Sequence, residues 1–190
     1  MIAVMLKEKT VFILGAGSSR DYGYPTGPGL MELMRDRCEE VKKGTASFAG
    51  NSGFTNDQFL DFGKLLDDNN TIFPSIDALL YTHPEHIELG RFLIATCLLP
   101  CEKADDFSKI EDEKNWMLYL FRKMEGGTLD DFADNPVKFI SFNYDRCLDY
   151  YLRKYLIARY RATAQKVDTA LQAIPIIHVH GWLGPFNDLV

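Results

Sequence analysis

The sequence lacks the features that would assign it to a membrane-spanning, repetitive or nucleic-acid-binding class of protein. Its most apolar internal run, residues 92–99, is far shorter than the roughly 20 residues that a transmembrane helix needs. It has no cluster of Lys and Arg, and its formal net charge is −6, which disfavours a nucleic-acid partner. It contains no internal repeat and no low-complexity segment. We therefore expect a cytoplasmic protein that contacts neither membrane nor nucleic acid.

Cysteine is scarce as well. The four cysteines are Cys38, Cys97, Cys101 and Cys147, and no two of them form a CxxC pair. Their number is too small for the disulfide framework of a small secreted domain. Reduced thiols in a cytoplasmic protein are the simplest interpretation.

An uninterrupted apolar run leads directly into a glycine-containing turn near the start of the chain. Residues Val11–Leu14 show no polar alternation, which is typical of a strand buried on both faces of a parallel sheet. Gly15 and Gly17 carry no Cβ and allow a backbone to approach a phosphate closely. The turn therefore predicts a cradle for a nucleotide diphosphate, although an ordinary strand-to-loop turn remains open. Arg20 stands where the dehydrogenase fingerprint needs its third glycine, which disfavours hydride transfer.

Two further apolar segments, residues 137–142 and 174–179, are predicted strands, whereas residues 31–134 are almost entirely helical in pattern. Polar residues or glycine follow each strand, namely Gly15, Asn143 with Asp145, and His180. In an open α/β sheet, ligands bind outside the carboxyl ends of the strands. The sequence therefore predicts an α/β fold with a Rossmann-like parallel sheet. Its core is residues 8–30 and 135–190, and residues 31–134 form a helical insertion.

The residues after the second and third strands have a structural as well as a chemical interpretation. Asp145 is placed to cap the next helix, as strand-to-helix junctions often require. His178 and His180 lie two positions apart on an extended segment and point to opposite faces. We expect His180, at the strand end, to be the candidate for chemistry and His178 to be a core or sheet-face histidine. No third ligand accompanies them, so a metal site is not expected.

Four short motifs, taken in order, resemble the landmarks of the sirtuin-like family. They are Gly15-Ala16-Gly17-Ser18, Gly23-Tyr24-Pro25-Thr26, Phe142-Asn143-Tyr144-Asp145 and His180-Gly181. The closer match is the prokaryotic branch of that family, whose members act in antiphage defence and hydrolyse NAD. Ser75-Ile76-Asp77, followed by an apolar helix, also resembles that branch. The resemblance covers residues 10–45 and 137–184.

The resemblance implies a role for each matching residue. His180 matches the catalytic histidine, and Asn143 and Asp145 match the residues that hold the nicotinamide pocket and the ribose. Tyr24 and Pro25 would lie near the nicotinamide. The residues that would line the diphosphate are Gly15, Ala16, Gly17, Ser18 and Ser19. Cleavage of the nicotinamide–ribose bond builds positive charge on the sugar, and an imidazole can accept a proton from a ribose hydroxyl or an incoming water.

The resemblance therefore implies an NAD glycohydrolase that releases nicotinamide and ADP-ribose, with NAD as the substrate and no metal, acting as a bacterial antiphage-defence effector. A non-catalytic sensor of NAD or of an ADP-ribose derivative is the alternative, and an NAD-dependent protein deacylase is the third candidate. Deacylating members carry a four-cysteine zinc module and further nucleotide-binding strands after the histidine, whereas ten residues follow His180. We expect a single sirtuin-like domain over residues 1–190 that is incomplete at its C-terminus. A homo-oligomer, a C-terminal sensor domain or an activator protein are the expected partners.

Overall fold

Three parallel strands form the sheet of the computed structural model, which describes residues 6–69, 72–102 and 115–184. They are β1 (Thr10–Leu14), β2 (Val137–Ser141) and β3 (Ile176–His178), in the order β1-β2-β3. The register pairs Leu14 with Ser141 and Ser141 with His178. The three carboxyl ends therefore lie at one edge of the sheet. The predicted parallel sheet is confirmed, with a third strand shorter than the predicted residues 174–179.

Eight α-helices accompany the sheet within the described residues. They are α1 (Gly27–Lys42), α2 (Asn56–Asp68), α3 (Ile76–Thr82), α4 (Ile87–Leu98), α5 (Trp116–Met124), α6 (Leu129–Ala133), α7 (Cys147–Tyr160) and α8 (Ala164–Leu171). Short 3-10 helices span Ala16–Tyr22, Ala49–Asn51, Pro84–His86 and Leu99–Cys101. The chain is therefore a mixed α/β protein.

The chain divides into two compact units. One unit consists of Met1–Gly23 and Lys103–Val190 and contains the sheet with α5 to α8, and the other is Tyr24–Glu102 with α1 to α4. The predicted insertion, residues 31–134, contributes to both units. In the second unit α1 packs against α2 and α4. Helix α2 begins with a capping box, in which Thr55 and Gln58 each accept a hydrogen bond from the other's backbone N–H.

The two faces of the sheet differ in burial. On one face Val137 and Phe139 are 1% and 0% exposed, whereas on the other face Val11, Ile13 and Ile177 are 53%, 69% and 52% exposed. The prediction that β1 is buried on both faces is therefore wrong.

Helix α7 contacts the buried face of the sheet. Asp149, in the first turn of α7, contacts His178, and the register puts His178 on the same face as Phe139. An uninterrupted apolar run shows that a strand carries apolar side chains on both faces. It does not show that other elements of the protein pack over both faces.

Candidate active site

The polar residues that follow the three strands meet at the carboxyl edge of the sheet. The hydrogen-bond ladder continues one residue past β2 and β3, because Phe142 N donates to Leu14 O at 2.9 Å and Val179 N donates to Ser141 O at 2.9 Å. The turn after β1 and the loop after β2 are therefore held side by side, with the turn after β3 next to that loop. The parallel pairing of the strands therefore brings their three carboxyl ends together.

The glycine turn after β1 is built from a 3-10 helix. Ser18 donates both its N–H and its hydroxyl to Gly15 O, each at 2.8 Å. Gly15 has an ordinary φ of −120°, and Gly17 is not among the glycines with positive φ. A Cβ added to Gly15 or Gly17 would meet no protein atom within 4 Å. The fold itself does not require glycine at these two positions, and the space beside them is open to a ligand.

Asn143 joins the loop after β2 to this turn. Its Nδ2 donates to Ser18 Oγ at 3.2 Å and to Ser19 Oγ at 3.0 Å. The hydroxyl proton of Ser18 goes to Gly15 O, and that of Ser19 goes to Asp145 Oδ1 at 3.0 Å. Both serine oxygens therefore accept, which fixes the amide with its NH2 group toward the serines. Among the described residues, the buried Oδ1 of Asn143 has no hydrogen-bond partner.

Asp145 supports both the turn and α7. Its Oδ1 accepts from Ser19 and from the backbone N–H of Cys147, the first residue of α7, at 3.0 Å. The prediction that Asp145 caps the helix is not confirmed as made, because the N-cap residue is Arg146, but the Asp145 carboxylate does accept a hydrogen bond from the first backbone N–H of α7. Burial raises the pKa of Asp145 to about 6, with a further increase from the charge of Asp149, while the two hydrogen bonds and His178 oppose the shift.

His178 lies on the buried face of the sheet, as predicted, with its side chain 9% exposed. Its Nδ1 is 3.4 Å from Asn143 O, and its Nε2 is 3.4 Å from Asp149 Oδ1 and 3.2 Å from Asp149 Oδ2. The ring stacks on Trp182 with centroids 5.2 Å apart and planes at 20°. Burial lowers the pKa of His178, but Asp149, the carbonyl of Asn143 and Asp145 raise it above its ordinary value in sum.

His180 is exposed at the same edge of the sheet. Its ring lies 5.6 Å from that of Phe142 and 6.2 Å from that of Tyr144, the two residues that flank Asn143. Leu183 N donates to Tyr144 O at 3.1 Å, which holds the turn after β3 against the loop after β2. His180 is therefore accessible to solvent beside the Asn143 loop, as a general base that acts on water or on a ligand hydroxyl must be.

Three residues near these groups were not predicted from the sequence. Trp116 Nε1 donates to Ser18 O at 2.8 Å, and Asp149 and Trp182 contact His178. The only sequence signal for Asp149 is its position four residues after Asp145, at the start of a predicted helix. Of the predicted site residues, Tyr24 and Pro25 belong to the second unit, Tyr24–Glu102.

A separate groove lies among α6, the end of α7 and α8, and none of the predicted site residues lines it. Within residues 6–69, 72–102 and 115–184, no group of three or more His, Cys, Asp or Glu side chains could hold a metal ion, and no helix is long and apolar enough to span a membrane.

No family model matches the chain, and no curated protein or solved structure shows a significant match to it.

Proposed function

We propose that this chain binds NAD at the carboxyl edge of its parallel sheet and hydrolyses the bond between nicotinamide and ribose. The observation that carries the proposal is the amide of Asn143, which two serines hold while its buried Oδ1 has no partner among the described residues. A buried acceptor without a donor costs about 1–3 kcal/mol. A ligand that supplies an N–H or O–H donor would recover that cost. NAD offers both kinds of donor, a carboxamide and ribose hydroxyls.

The open backbone at Gly15 and Gly17 supports the same ligand. Neither residue needs to be glycine for the fold, and no protein atom occupies the space that a side chain would take. We propose that the diphosphate lies against this backbone and against Ala16, Ser18 and Ser19. The sirtuin-like resemblance adds Tyr24 and Pro25 on the nicotinamide side, and for these two residues it is the sole support.

The proposed reaction is a hydrolytic displacement at the anomeric carbon. Water attacks C1′ of the ribose, the bond to the nicotinamide ring nitrogen breaks, and nicotinamide leaves as a neutral molecule. The proton lost by the water passes to His180, the exposed imidazole beside the Asn143 loop. Asn143 orients the water or the nicotinamide amide, and Asp145 holds Ser19 and therefore the turn.

The biological role follows from the resemblance alone. On that basis we propose an antiphage-defence effector that acts in the cytoplasm, as a homo-oligomer or together with a sensor domain or an activator protein. The proposed fold is the Rossmann-like arrangement of the sirtuin-like family, with which a parallel sheet carrying its polar groups at the carboxyl edge is compatible.

The test is nicotinamide release from NAD by the purified chain. We expect release by the wild type and a loss of about 100-fold or more for His180→Ala and for Asn143→Ala. His83→Ala, which changes a histidine outside the predicted site, is the control and should retain activity. Unchanged release in both site variants would contradict the site assignment. NAD binding without release would favour the sensor, and NAD-dependent removal of an acetyl group from a peptide would favour the deacylase.

A further inference from the structure

We propose that His178 and Asp149 are positioning residues, which hold the Asn143 loop in the geometry that NAD hydrolysis requires. This inference rests on the function proposed above and adds to it two residues that the resemblance does not assign. Neither residue is proposed to touch the substrate. Their action is through Asn143.

The first argument is the path of contacts. His178 ends β3 and reaches the main-chain carbonyl of Asn143 at 3.4 Å through Nδ1. Its other ring nitrogen reaches the Asp149 carboxylate on α7 at 3.2 Å. The histidine therefore links the third strand, the loop after the second strand, and the helix that follows that loop.

The second argument is the identity of the two partners. A carbonyl and a carboxylate are both acceptors, so His178 can satisfy both only by donating from both ring nitrogens, which the imidazolium does and the neutral ring does not. The charged groups that act on the ring are Asp149 on α7 and Asp145 in the loop, and both favour the imidazolium. Trp182 stacks on the ring and fixes its plane.

The third argument is that Asn143 is held at nearly every polar atom. Its N–H donates to Ser141 Oγ at 3.2 Å, its carbonyl faces His178, and its Nδ2 donates to Ser18 and Ser19. The direction of the remaining atom, Oδ1, depends on the position of the main chain. Without the contact between His178 and the Asn143 carbonyl, the main chain at Asn143 would be free to move, and Oδ1 would change its direction.

The experiment compares His178→Gln and Asp149→Asn with Asp168→Asn, which changes the acidic partner of an exposed ion pair with Arg153. Because a misplaced Asn143 loses its contact with NAD, kcat should fall and KM should rise, so that kcat/KM drops about 10- to 100-fold in the first two variants. Asp168→Asn should keep both constants. Thermal melts check that all three variants fold, and having two test variants keeps the comparison decisive if one of them does not.

A double-mutant cycle separates positioning from general destabilisation. In an Asn143→Ala background there is no amide to position, so His178→Gln should cause no further loss of the residual activity. A further loss as large as in the wild-type background would overturn the inference. The alkaline limb of the wild-type pH–rate profile should also disappear in His178→Gln, because the imidazolium is the form that holds the loop. An unchanged limb would count against the proposal.

A readout without turnover keeps this inference distinct from the proposed function. The side-chain NH2 signal of Asn143 in a ¹⁵N spectrum, assigned by its disappearance in Asn143→Ala, should shift in His178→Gln and Asp149→Asn but not in Asp168→Asn. A signal that stays in place in both test variants would overturn the positioning role. Wild-type protein that releases no nicotinamide but shows these shifts would refute the NAD hydrolase and retain the positioning of Asn143.

Discussion

At the scale of single residues, Gly17 separates the requirements of the fold from those of a ligand. Because a Cβ there meets nothing within 4 Å, Gly17→Ala should leave the free energy of unfolding unchanged or raise it by up to about 1 kcal/mol. The same methyl group should weaken NAD binding, since it occupies the space proposed for the diphosphate. Urea unfolding and calorimetric titration with NAD measure the two effects.

Gly126→Ala is the control for the fold, because a Cβ there would lie 2.1 Å from Asp131 Cβ. It should destabilise the protein clearly. If the Gly17→Ala variant binds NAD as tightly as the wild type, the proposed position of the diphosphate at this turn is wrong.

The two serines of the turn should differ in their effect on stability. Ser19 is 1% exposed, accepts from Asn143 and donates to Asp145, so Ser19→Ala leaves two buried groups short of a partner. We expect a loss of about 1–3 kcal/mol in the free energy of unfolding. Ser18→Ala should cost less than about 1 kcal/mol, because Ser18 is half-buried and, among the buried side chains, its loss removes only the bond from Asn143, whereas the loss of Ser19 also removes the donor to Asp145. Urea denaturation of both variants checks the order, and equal losses would contradict the described network.

At the scale of elements, the two faces of the sheet predict opposite responses to truncation. Phe139 is fully buried and its ring lies 5.5 Å from that of Phe12, so Phe139→Ala should cost about 3–5 kcal/mol. Ile13, on the other face, is 69% exposed, and Ile13→Ala should cost less than about 1 kcal/mol. Equal losses of unfolding free energy in urea would show that the second face is covered in solution.

The sequence could predict the elements that have a local signal, and it could not predict those that lack one. The segment at residues 137–142, the capping box at Thr55 and the helix that ends before Gly44 have local signals, and the structure has each of them. Helix α8 was not predicted, because Val167 is its one buried residue and a single apolar side chain gives no periodic stripe. Helix α6 has five residues, too few to show a period.

At the scale of the whole molecule, stability should depend on pH through Asp145. Its pKa is raised from 3.8 to about 6 in the folded state, so its stabilising contribution is complete below the unfolded value and is lost as the pH rises through about 6. Asp145→Asn keeps an acceptor oxygen and removes the buried charge. The free energy of unfolding of this variant, taken relative to that of the wild type, should therefore be higher at pH 7.5 than at pH 4.5, by on the order of 2 kcal/mol.

Urea unfolding of both proteins at the two pH values measures this difference. His178 shifts stability in the same direction, because its raised pKa gives a contribution that is present below 6.5 and lost as the pH rises through the folded value. The comparison therefore uses the substitution rather than the wild-type curve alone. A variant whose stability relative to the wild type is the same at both pH values would contradict the raised pKa of Asp145.

The sequence could predict those residues of the candidate site that follow the ends of strands. Gly15, Asn143, Asp145 and His180 follow strands directly, so parallel pairing alone brings them to one edge. Trp116, by contrast, lies 98 positions from the serine whose carbonyl it binds. A contact of that kind depends on how α5 packs against the turn, which no local pattern of residues specifies.

The position of the indoles has a practical consequence. The sequence contains two tryptophans; Trp116 is bonded to the glycine turn and Trp182 is stacked on His178. The ultraviolet emission of the protein therefore originates at the strand edge, and each indole adjoins a different part of it. Replacing one tryptophan with phenylalanine leaves the other as the single fluorescent indole. The fluorescence of Trp116 can then report the binding of an unlabelled nucleotide at the turn, and that of Trp182 can report the protonation of His178.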